Sequence, residues 1–329
     1  MGLGLKRDVC LRIVGLSKDQ FYYQKTGIKP GRRPTHTTLW RDPNTLIAYE
    51  VDNADVVQKV VEIKLNPDLP NWYKLITRTL QINGYYINHK KVYRLMLEYI
   101  LLEAPRKSTG RNFVKYRRVA PHKPLEVIEM DIKYVWIYGV RKYAFILTVI
   151  DTFTRYVLHW DVGYTMKSHQ VKAVWDHIIV SYLQPAGILE DKLDIEVRND
   201  NGKQFSSDLI INFFKENYLN QVFTHPYTPE ENGHIESFHN TLGKALKKDQ
   251  FTSLEQLNKR LKKFYICYNN DRSHGSLKGV PPAKFWTLYE LDKIKVIPLE
   301  KRKIKFKLEV AYQDILTIPT IHKHDYRAL

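Results

Sequence analysis

Residues 127–162 read VIEMDIKYVWIYGVRKYAFILTVIDTFTRYVLHWDV, and this stretch decides the fold. It contains three apolar runs separated by short gaps, a pattern typical of three neighbouring antiparallel strands. The middle run, Tyr143 to Ile150, is continuously apolar and therefore suits a central strand that is buried on both faces. Asp131 interrupts the first run. A carboxylate inside a buried strand is costly unless it is paired or binds a metal.

Helical and strand patterns alternate downstream of these three strands. Helix, strand, helix, strand and two further helices are predicted, in that order, at residues 167–184, 195–197, 206–218, 221–224, 233–248 and 252–268. The whole order predicts an α/β fold with a ribonuclease-H-like mixed sheet and helices on both faces. Three antiparallel strands also open many unrelated α+β folds, so the layout by itself leaves the alternatives open.

The sequence upstream of the strands is helical. Ser17 to Gln20 resemble a capping box at the start of a short helix, residues 29–45 look like a loop, and residues 54–63 have helical periodicity. Two further helical stretches flank the turn Asn83-Gly84. The second of them has a basic face, formed by His89, Lys90, Lys91 and Arg94. This is the outline of a helix-turn-helix, and an ordinary helical hairpin with a solvated basic face fits the pattern equally well.

Charge is distributed unevenly along the chain. The 52 Lys and Arg residues exceed the 35 Asp and Glu residues by 17. Residues 1–125 hold 23 basic and 10 acidic residues, residues 126–248 hold 13 and 16, and residues 249–329 hold 16 and 9. Basic flanks most often contact a polyanion, of which nucleic acid is the commonest, and a surface tuned for solubility is the alternative. Residues 104–124 predict a basic linker, because they contain prolines and glycine but no acidic residue.

Several classes of protein are disfavoured by composition. The chain has 329 residues, enough for two or three domains, and its only cysteines are Cys10 and Cys267. Two cysteines so far apart do not make a disulfide scaffold or a cysteine-rich zinc site. The longest clean apolar run, about eight residues, is far short of the ~20 that a membrane helix needs, and we see no secretory signal.

Three acidic residues stand where functional sites collect. Asp131 lies within the first predicted strand, Asp200 follows a short strand in an Asn-Asp-Asn-Gly turn, and Glu236 lies early in a predicted helix. Singly, such acids most often cap, pair or break a ladder. Together, with 35 residues between Asp200 and Glu236, they predict an all-oxygen site of the kind that magnesium prefers. Two such ions can hold the attacking and leaving oxygens of a phosphoryl displacement.

At these residues the sequence resembles the retroviral-integrase-type transposases of bacterial insertion sequences, most nearly their second-reading-frame (OrfB-type) proteins. The resemblance is found in six segments in order: 84–96 (GYYINHKKVYRLM), 129–131 (EMD), 150–155 (IDTFTR), 199–205 (NDNGKQF), 229–238 (PEENGHIESF) and 268–277 (YNNDRSHGSL). It extends over residues 15–286, or most of the chain.

The resemblance implies a magnesium-dependent DNA transposase. In such enzymes water cleaves the phosphodiester at the element end, and the freed 3′-hydroxyl then attacks a second strand. Asp131, Asp200 and Glu236 would be the catalytic residues and the ligands of two magnesium ions, for which manganese substitutes. Four neighbours would shape the local chain: Asn201 and Gly202 at the turn of Asp200, and Asn232 and Gly233 at the start of the helix.

The same resemblance implies a domain order and a set of partners. It places a helical DNA-binding region with the helix-turn-helix at 1–103, the basic linker at 104–124, an integrase catalytic core at 125–285 and a basic, β-containing tail at 286–329. The implied partners are double-stranded DNA at the element ends and the target, further copies of the chain on DNA, and the upstream-frame protein. No membrane is involved, and we expect a cytoplasmic protein associated with the nucleoid.

The expected DNA contacts are His89, Lys90, Lys91, Arg94, Arg111, Arg117, Arg118, Lys244 and Lys247. One departure from the family concerns this set. The family often has a lysine seven residues after the catalytic glutamate, where this chain has Gly243. On a continuous helix Lys244 would lie about 80° and Lys247 about 20° around the axis from Glu236.

Two other functions remain open at this stage. A non-catalytic DNA-binding regulator derived from a transposase would use the helix-turn-helix alone, and the intact acidic trio argues against it. A ribonuclease-H-type hydrolase of RNA–DNA hybrids would need no basic preface of about 100 residues.

The charge distribution leads to a prediction about salt. The segment 1–125 should bind duplex DNA with an affinity that falls by about 10³ between roughly 50 and 200 mM salt if it contacts about six phosphates, since each contact releases counterions. A gel-shift titration at several salt concentrations measures this. A flat response would mean that the basic face is only solvated surface.

Overall fold

The computed structural model describes residues 4, 7–22, 34–103, 119, 121–189, 195–224, 232–299 and 303–321. Two compact units are present, Met1–Thr37 and Thr38–Leu329. The helices are α1 (Arg7–Ile13), α2 (Lys18–Tyr22), α3 (Asn53–Leu65), α4 (Tyr73–Ile82), α5 (His89–Glu98), α6 (Ser168–Ile178), α7 (Asp208–Glu216), α8 (Gly233–Ala245), α9 (Leu254–Asn270) and α10 (Pro282–Glu290). The strands are β1 (Thr37–Arg41), β2 (Ala48–Asp52), β3 (Val127–Ile137), β4 (Lys142–Asp151), β5 (Val157–Gly163), β6 (Ile195–Asn199), β7 (Leu219–Phe223), β8 (Ile294–Leu299) and β9 (Lys303–Leu308).

The first unit contains α1 and α2. The predicted capping box at the start of α2 is present: the amide of Ser17 donates to Oε1 of Gln20 (2.9 Å), and the amide of Gln20 donates to Oγ of Ser17 (3.1 Å). The two bonds satisfy reciprocally two amides that a helix start otherwise leaves unpaired.

A five-stranded mixed sheet forms the centre of the second unit. Its strand order is β5-β4-β3-β6-β7. β3 pairs antiparallel with β4 and β4 with β5, whereas β6 pairs parallel with both β3 and β7. This order and these directions are those of a ribonuclease-H-like sheet. The predicted fold class is therefore confirmed.

Helices cover both faces of the sheet. On one face α6 and α7 pack over residues such as Met130 and Val197, with the fully buried Trp175 near the centre of that layer. On the other face α8 and α9 pack over β4 and β5 through Phe238 and Tyr265. Successive residues of a strand point to opposite faces, so the odd-numbered residues of β3 from Glu129 onwards face α8.

The region before the core contains two strands that the sequence did not indicate. Residues 29–45 were expected to be a loop, but β1 (37–41) pairs with β2, and Trp40 bridges to Tyr85. The pattern is hard to detect because β1 and β2 are half-exposed and flanked by turn residues. Gly84 permits the contact: a Cβ there would lie 2.2 Å from the carbonyl oxygen of Arg41, and its φ is +91°. Only glycine fits this position without strain.

The helices α3, α4 and α5 share one apolar core and are tied to the α9 region by polar contacts. The guanidinium of Arg260 in α9 donates two hydrogen bonds to the carboxylate of Asp68, at 2.6 and 3.0 Å. Nearby, the hydroxyls of Thr79 and Ser273 lie 2.8 Å apart. Bidentate arginine–carboxylate pairs fix orientation as well as distance. These contacts join the α3–α5 group to the sheet-containing part of the same unit.

The end of the described chain forms a hairpin over the core. The tail at 286–329 was expected to contain β structure. β8 and β9 lie in it and pair antiparallel with each other. Phe306 of β9 packs against Phe153 and Phe285. No helix in the described part of the chain combines the length and the apolar character that a bilayer span requires.

Asn269, near the end of α9, clamps the edge strand β5. Its side-chain amide donates to the carbonyl of Val157 and its side-chain oxygen accepts from the amide of Val157, each at 2.9 Å. The side chain is fully buried. The register of β4 and β5 is irregular between Val149 and Ile150, beside this clamp. The asparagine therefore satisfies backbone groups that the disturbed ladder leaves unpaired.

Asn269→Ala should lower the free energy of unfolding by about 3 kcal/mol, because it leaves a buried amide and a buried carbonyl without partners. Chemical denaturation of the full chain measures the change. Asn220→Ala, at an exposed position of β7, is the matched control and should stay within about 0.5 kcal/mol of the unmodified protein. Equal stability of the two variants would contradict the clamp.

Candidate active site

The register of two parallel strands points Asp131 and Asp200 towards the same edge of the sheet. The ladder between β3 and β6 has three pairs, each offset by 69 residues, and the last of them joins Glu129 with Arg198. Extended two residues beyond this last pair, the same offset would set Asp131 opposite Asp200. β6 ends at Asn199, so Asp200 is the first residue beyond it. Because adjacent strands lie only ~4.8 Å apart, we expect the two acidic residues to be neighbours at this edge of the sheet.

The electrostatics of Asp200 agree with this placement. The pKa of its carboxyl is raised, first by burial and further by the negative charge of Asp131, while a hydrogen bond from the amide of Gly202 (3.0 Å) opposes the rise. A like-charged neighbour disfavours ionisation, and a cation between the two groups would remove this cost. The turn that presents Asp200 is held further by Asn201, whose side chain donates to the carbonyl of Thr224 (3.3 Å).

Glu236 lies on helix α8, whose first turn is bonded to β3. It lies exposed in the first turn of the helix. Three residues later on nearly the same face, Nδ1 of His239 lies 3.2 Å from Oδ2 of Asp131. The other oxygen of Asp131 accepts from the amide of Ile132 (2.7 Å). Asp131 therefore contacts the turn of α8 that follows Glu236.

The first turn of α8 is held by a buried carboxylate that the sequence analysis did not single out. Oε2 of Glu129 accepts from the amides of His234 (3.1 Å) and Ile235 (2.7 Å), which are otherwise unpaired at a helix N-terminus. Glu129 is fully buried, and burial raises its pKa to about 7 although the two amides favour the charged form. Glu129 therefore fixes where α8 begins, directly before Glu236.

Asn232 and Gly233 stand at the start of α8, but the side chain of Asn232 does not cap the helix. α8 does begin at Gly233, but the side chain of Asn232 makes no capping hydrogen bond. Its Oδ1 is buried without a hydrogen-bond partner among the described residues. The carboxylate of Glu129 takes the capping role instead. The sequence did contain a signal for Glu129. It is two residues from Asp131, and residues two apart on a strand lie on the same face of the sheet.

The donors suit a hard divalent cation, although they do not form a closed cage. Within the described ranges, no group of three or more His, Cys, Asp or Glu side chains is arranged to hold a metal ion. Asp131 and Asp200, close enough to influence each other electrostatically, nevertheless supply carboxylate oxygens, the ligands that magnesium and manganese prefer. Glu236, exposed on the neighbouring helix, is the third carboxylate and has to approach this pair to share an ion with it.

The expected DNA contacts fall into three groups. His89 and Lys90 are exposed on α5, whereas Lys91 is half-buried and Arg94, also half-buried, lies 3.5 Å from Glu98 in an ion pair. The residues expected in the linker, Arg111, Arg117 and Arg118, lie outside the described residues.

Lys244 and Lys247 are both exposed at the end of α8, but only Lys244 is helical. α8 ends at Ala245, three residues before the predicted end at 248. The continuous helix assumed for the angle of Lys247 therefore does not extend to that residue. Neither lysine stands seven residues after Glu236, the position that Gly243 occupies.

Comparisons with known proteins agree on one family. Two models, each described as an integrase core domain, match residues 121–229 and 217–282. An insertion element IS476 protein of 39.2 kDa from Xanthomonas euvesicatoria is 28% identical over 286 residues, which are 86% of this chain and 73% of that protein. The putative transposase InsK of insertion sequence IS150 from Escherichia coli K12 is 24% identical over 244 residues, 70% of this chain and 83% of that protein.

Solved structures resemble the core more distantly. The Mos1 transposase catalytic domain, solved with raltegravir and magnesium, aligns with 43% of this chain and 71% of its own at 13% identity and a TM-score of 0.38. The catalytic core of HTLV-2 integrase, solved with magnesium, aligns with 49% of this chain and 95% of its own at 16% identity and a TM-score of 0.35.

Glu129→Ala should uncouple the start of α8 from the sheet. We expect faster hydrogen exchange at the amides of His234 and Ile235 and a loss of about 1–2 kcal/mol in the free energy of unfolding, the size of a lost helix cap. Glu129→Gln should keep the slow exchange, because its amide oxygen still accepts a hydrogen bond. Glu216→Ala, exposed on α7, is the control. Equal exchange in the Ala and Gln variants would refute the capping role.

Proposed function

We propose that this chain, which belongs to the integrase-type transposases of insertion sequences, cleaves DNA at the ends of its element and joins the freed 3′-hydroxyl to a second DNA strand. The family makes it a transposase enzyme that acts in DNA transposition. The observation that supports the chemistry most directly is the ladder between β3 and β6, whose offset, extended by two residues, would put Asp131 opposite Asp200. The helix that carries Glu236 contacts Asp131 through His239. Three carboxylates at one edge of a sheet suit a reaction that needs metal ions and no nucleophilic side chain.

Each residue has a distinct part in this proposal. Asp131 and Asp200 would hold the cation from the sheet, and Glu236 would complete the ligand set from α8. A divalent cation bound there neutralises charge on the reacting phosphodiester and makes the attacking oxygen more acidic. His239 orients the carboxylate of Asp131 through its 3.2 Å contact. Glu129 is a positioning residue, because it acts only through the start of α8.

The cofactor and the partners follow from the same proposal. We assign magnesium as the natural cofactor, with two ions at the three carboxylates, and manganese as a substitute. The substrates are double-stranded DNA at the element ends and at the target, held by an assembly of several copies of the chain. The basic face of α5 and the linker arginines are the proposed contacts to the element ends. The product of the upstream frame is a proposed further partner.

Asp200→Asn should reduce cleavage and strand transfer by several orders of magnitude while leaving DNA affinity nearly unchanged. It removes one anionic ligand and keeps the size of the side chain, so the displacement loses its charge neutralisation. The measurements are a cleavage and joining assay in magnesium, using a labelled duplex that carries the terminal sequence of the element, and a gel shift with the same duplex.

Two further variants make this test specific. Asp176→Asn is the matched control, because Asp176 is an exposed acid of α6 on the opposite face of the sheet, and it should keep full activity. Arg94→Ala should weaken binding of the element end but leave cleavage intact at saturating DNA. Normal cleavage by the Asp200 variant in magnesium would overturn the proposal and favour a DNA-binding protein without catalysis.

A further inference from the structure

A cationic side chain stands beside the carboxylates and takes no part in the roles described so far. Lys133 lies on β3 two residues after Asp131 and therefore faces the same helix, α8. Its ammonium nitrogen is 3.5 Å, and its Cε 3.6 Å, from the place that a Cβ of Gly243 would occupy. The side chain is half-buried against the helix. Among the described residues, no carboxylate forms an ion pair with it.

The position of Lys133 belongs to a regular match between β3 and α8. Glu129 contacts the amides of His234 and Ile235, and Asp131 contacts His239. Lys133 lies next to the place that a Cβ of Gly243 would take. Each step of two residues along the strand covers about 6.7 Å, and each step of four along the helix covers about 6 Å. The strand and the helix therefore run side by side in the same direction with nearly equal steps.

This match places the ammonium of Lys133 on the stripe of α8 that carries Glu236. Seven residues separate Glu236 from Gly243, which is about 20° short of two full turns. The absence of a side chain at Gly243 leaves room for the lysine to lie across the helix at that point. The ammonium of Lys133, a residue of β3, thus lies at the surface of α8 about two turns beyond Glu236. Asp131 is two residues before Lys133 on the same strand.

We propose that Lys133 binds a DNA phosphate next to the phosphodiester that reacts. The inference rests on the proposed function, because it requires a DNA strand at the three carboxylates. A half-buried ammonium beside acidic residues, with no carboxylate partner in the described part of the chain, is placed to bind an anion that the acids themselves repel. The long apolar stem packs along α8 while the charged end stays accessible. Lys133 is therefore a positioning residue for the DNA strand and not a metal ligand.

The test compares Lys133→Ala with Lys215→Ala in the full-length protein. Lys215 is exposed on α7, on the opposite face of the sheet, so both variants lose one positive charge. The probe is a duplex ending at the cleaved 3′-terminus of the element, in two forms: with all phosphates, or with a neutral methylphosphonate at one phosphate adjacent to the reacting position. Binding is measured at several salt concentrations, and strand joining is measured on both forms.

The unmodified protein and Lys215→Ala should each lose about tenfold in affinity when the correct phosphate is neutralised, which is the size of one charge-assisted contact. Lys133→Ala should bind the normal duplex about tenfold more weakly and should be indifferent to the methylphosphonate. Its slope of log affinity against log salt should also fall by about 1. A merely structural role for Lys133 would weaken binding to both forms of the duplex equally.

A relocated charge provides the last arm. The double variant Lys133→Ala/Gly243→Lys returns an ammonium to the same stripe from the helix, and a Cβ at Gly243 meets only ordinary contacts. It should regain the sensitivity to methylphosphonate. If the unmodified protein joins strands and Lys133→Ala responds to each phosphate as Lys215→Ala does, the assignment of Lys133 is wrong. If the unmodified protein neither cleaves nor joins DNA in magnesium or manganese, the proposed function itself fails.

Discussion

The interaction on which the rest of the candidate site depends is the capture of the first turn of α8 by the buried carboxylate of Glu129. Glu236 lies on α8, which is about 100 residues from β3 in sequence. No local contact along the chain therefore fixes its distance from Asp131. The two hydrogen bonds from His234 and Ile235 to Glu129 supply that constraint. They act in a fully buried setting, where a lost partner leaves polar groups unsatisfied. The helix start therefore has a defined place on the sheet.

The second constraint joins the α3–α5 group to the catalytic part of the same unit. A basic linker at 104–124 suggests a loose tether, but covalent connection is not the only link between the two regions. Arg260 holds Asp68 by two hydrogen bonds, and Arg78 lies 4.1 Å over the ring of Tyr312. The helices that carry the basic face of α5 are therefore attached to the rest of the unit by side-chain contacts as well as by the chain.

Much of the fold could be predicted from the sequence, for reasons that differ between elements. β3, β4 and β5 are long apolar runs, and α6 to α9 have strong helical periodicity, so their existence was predicted correctly. β1 and β2 were missed because they are short and half-exposed. In addition, Trp40 of β1 bridges to Tyr85, which is distant in sequence. The end of α8 was placed three residues too late, since its lysine-rich end contains no strong breaker.

For the candidate site, too, some residues could be predicted from the sequence and others could not. The identities of Asp131, Asp200 and Glu236 were predicted from their positions and from family resemblance, and their roles stay a prediction. The residues that organise them were not found, because each acts through an element remote in the chain: Glu129 through the amides of α8, and Lys133 through Gly243. A glycine shows in sequence only that a side chain is missing. It does not show which other residue fills the space.

The constant offset of 69 between β3 and β6 has a consequence for which changes in length this protein tolerates. A single residue deleted from β3 ahead of Glu129 would turn Glu129, Asp131 and Lys133 together to the opposite face of the sheet, away from α8. Insertions in the chain between α6 and β6 would change the number 69 without moving Glu129 relative to Arg198, because the ladder and not the loop sets their alignment. Among related elements, the spacing of the two aspartates can therefore drift, whereas the spacing of Glu129 from Asp131 cannot.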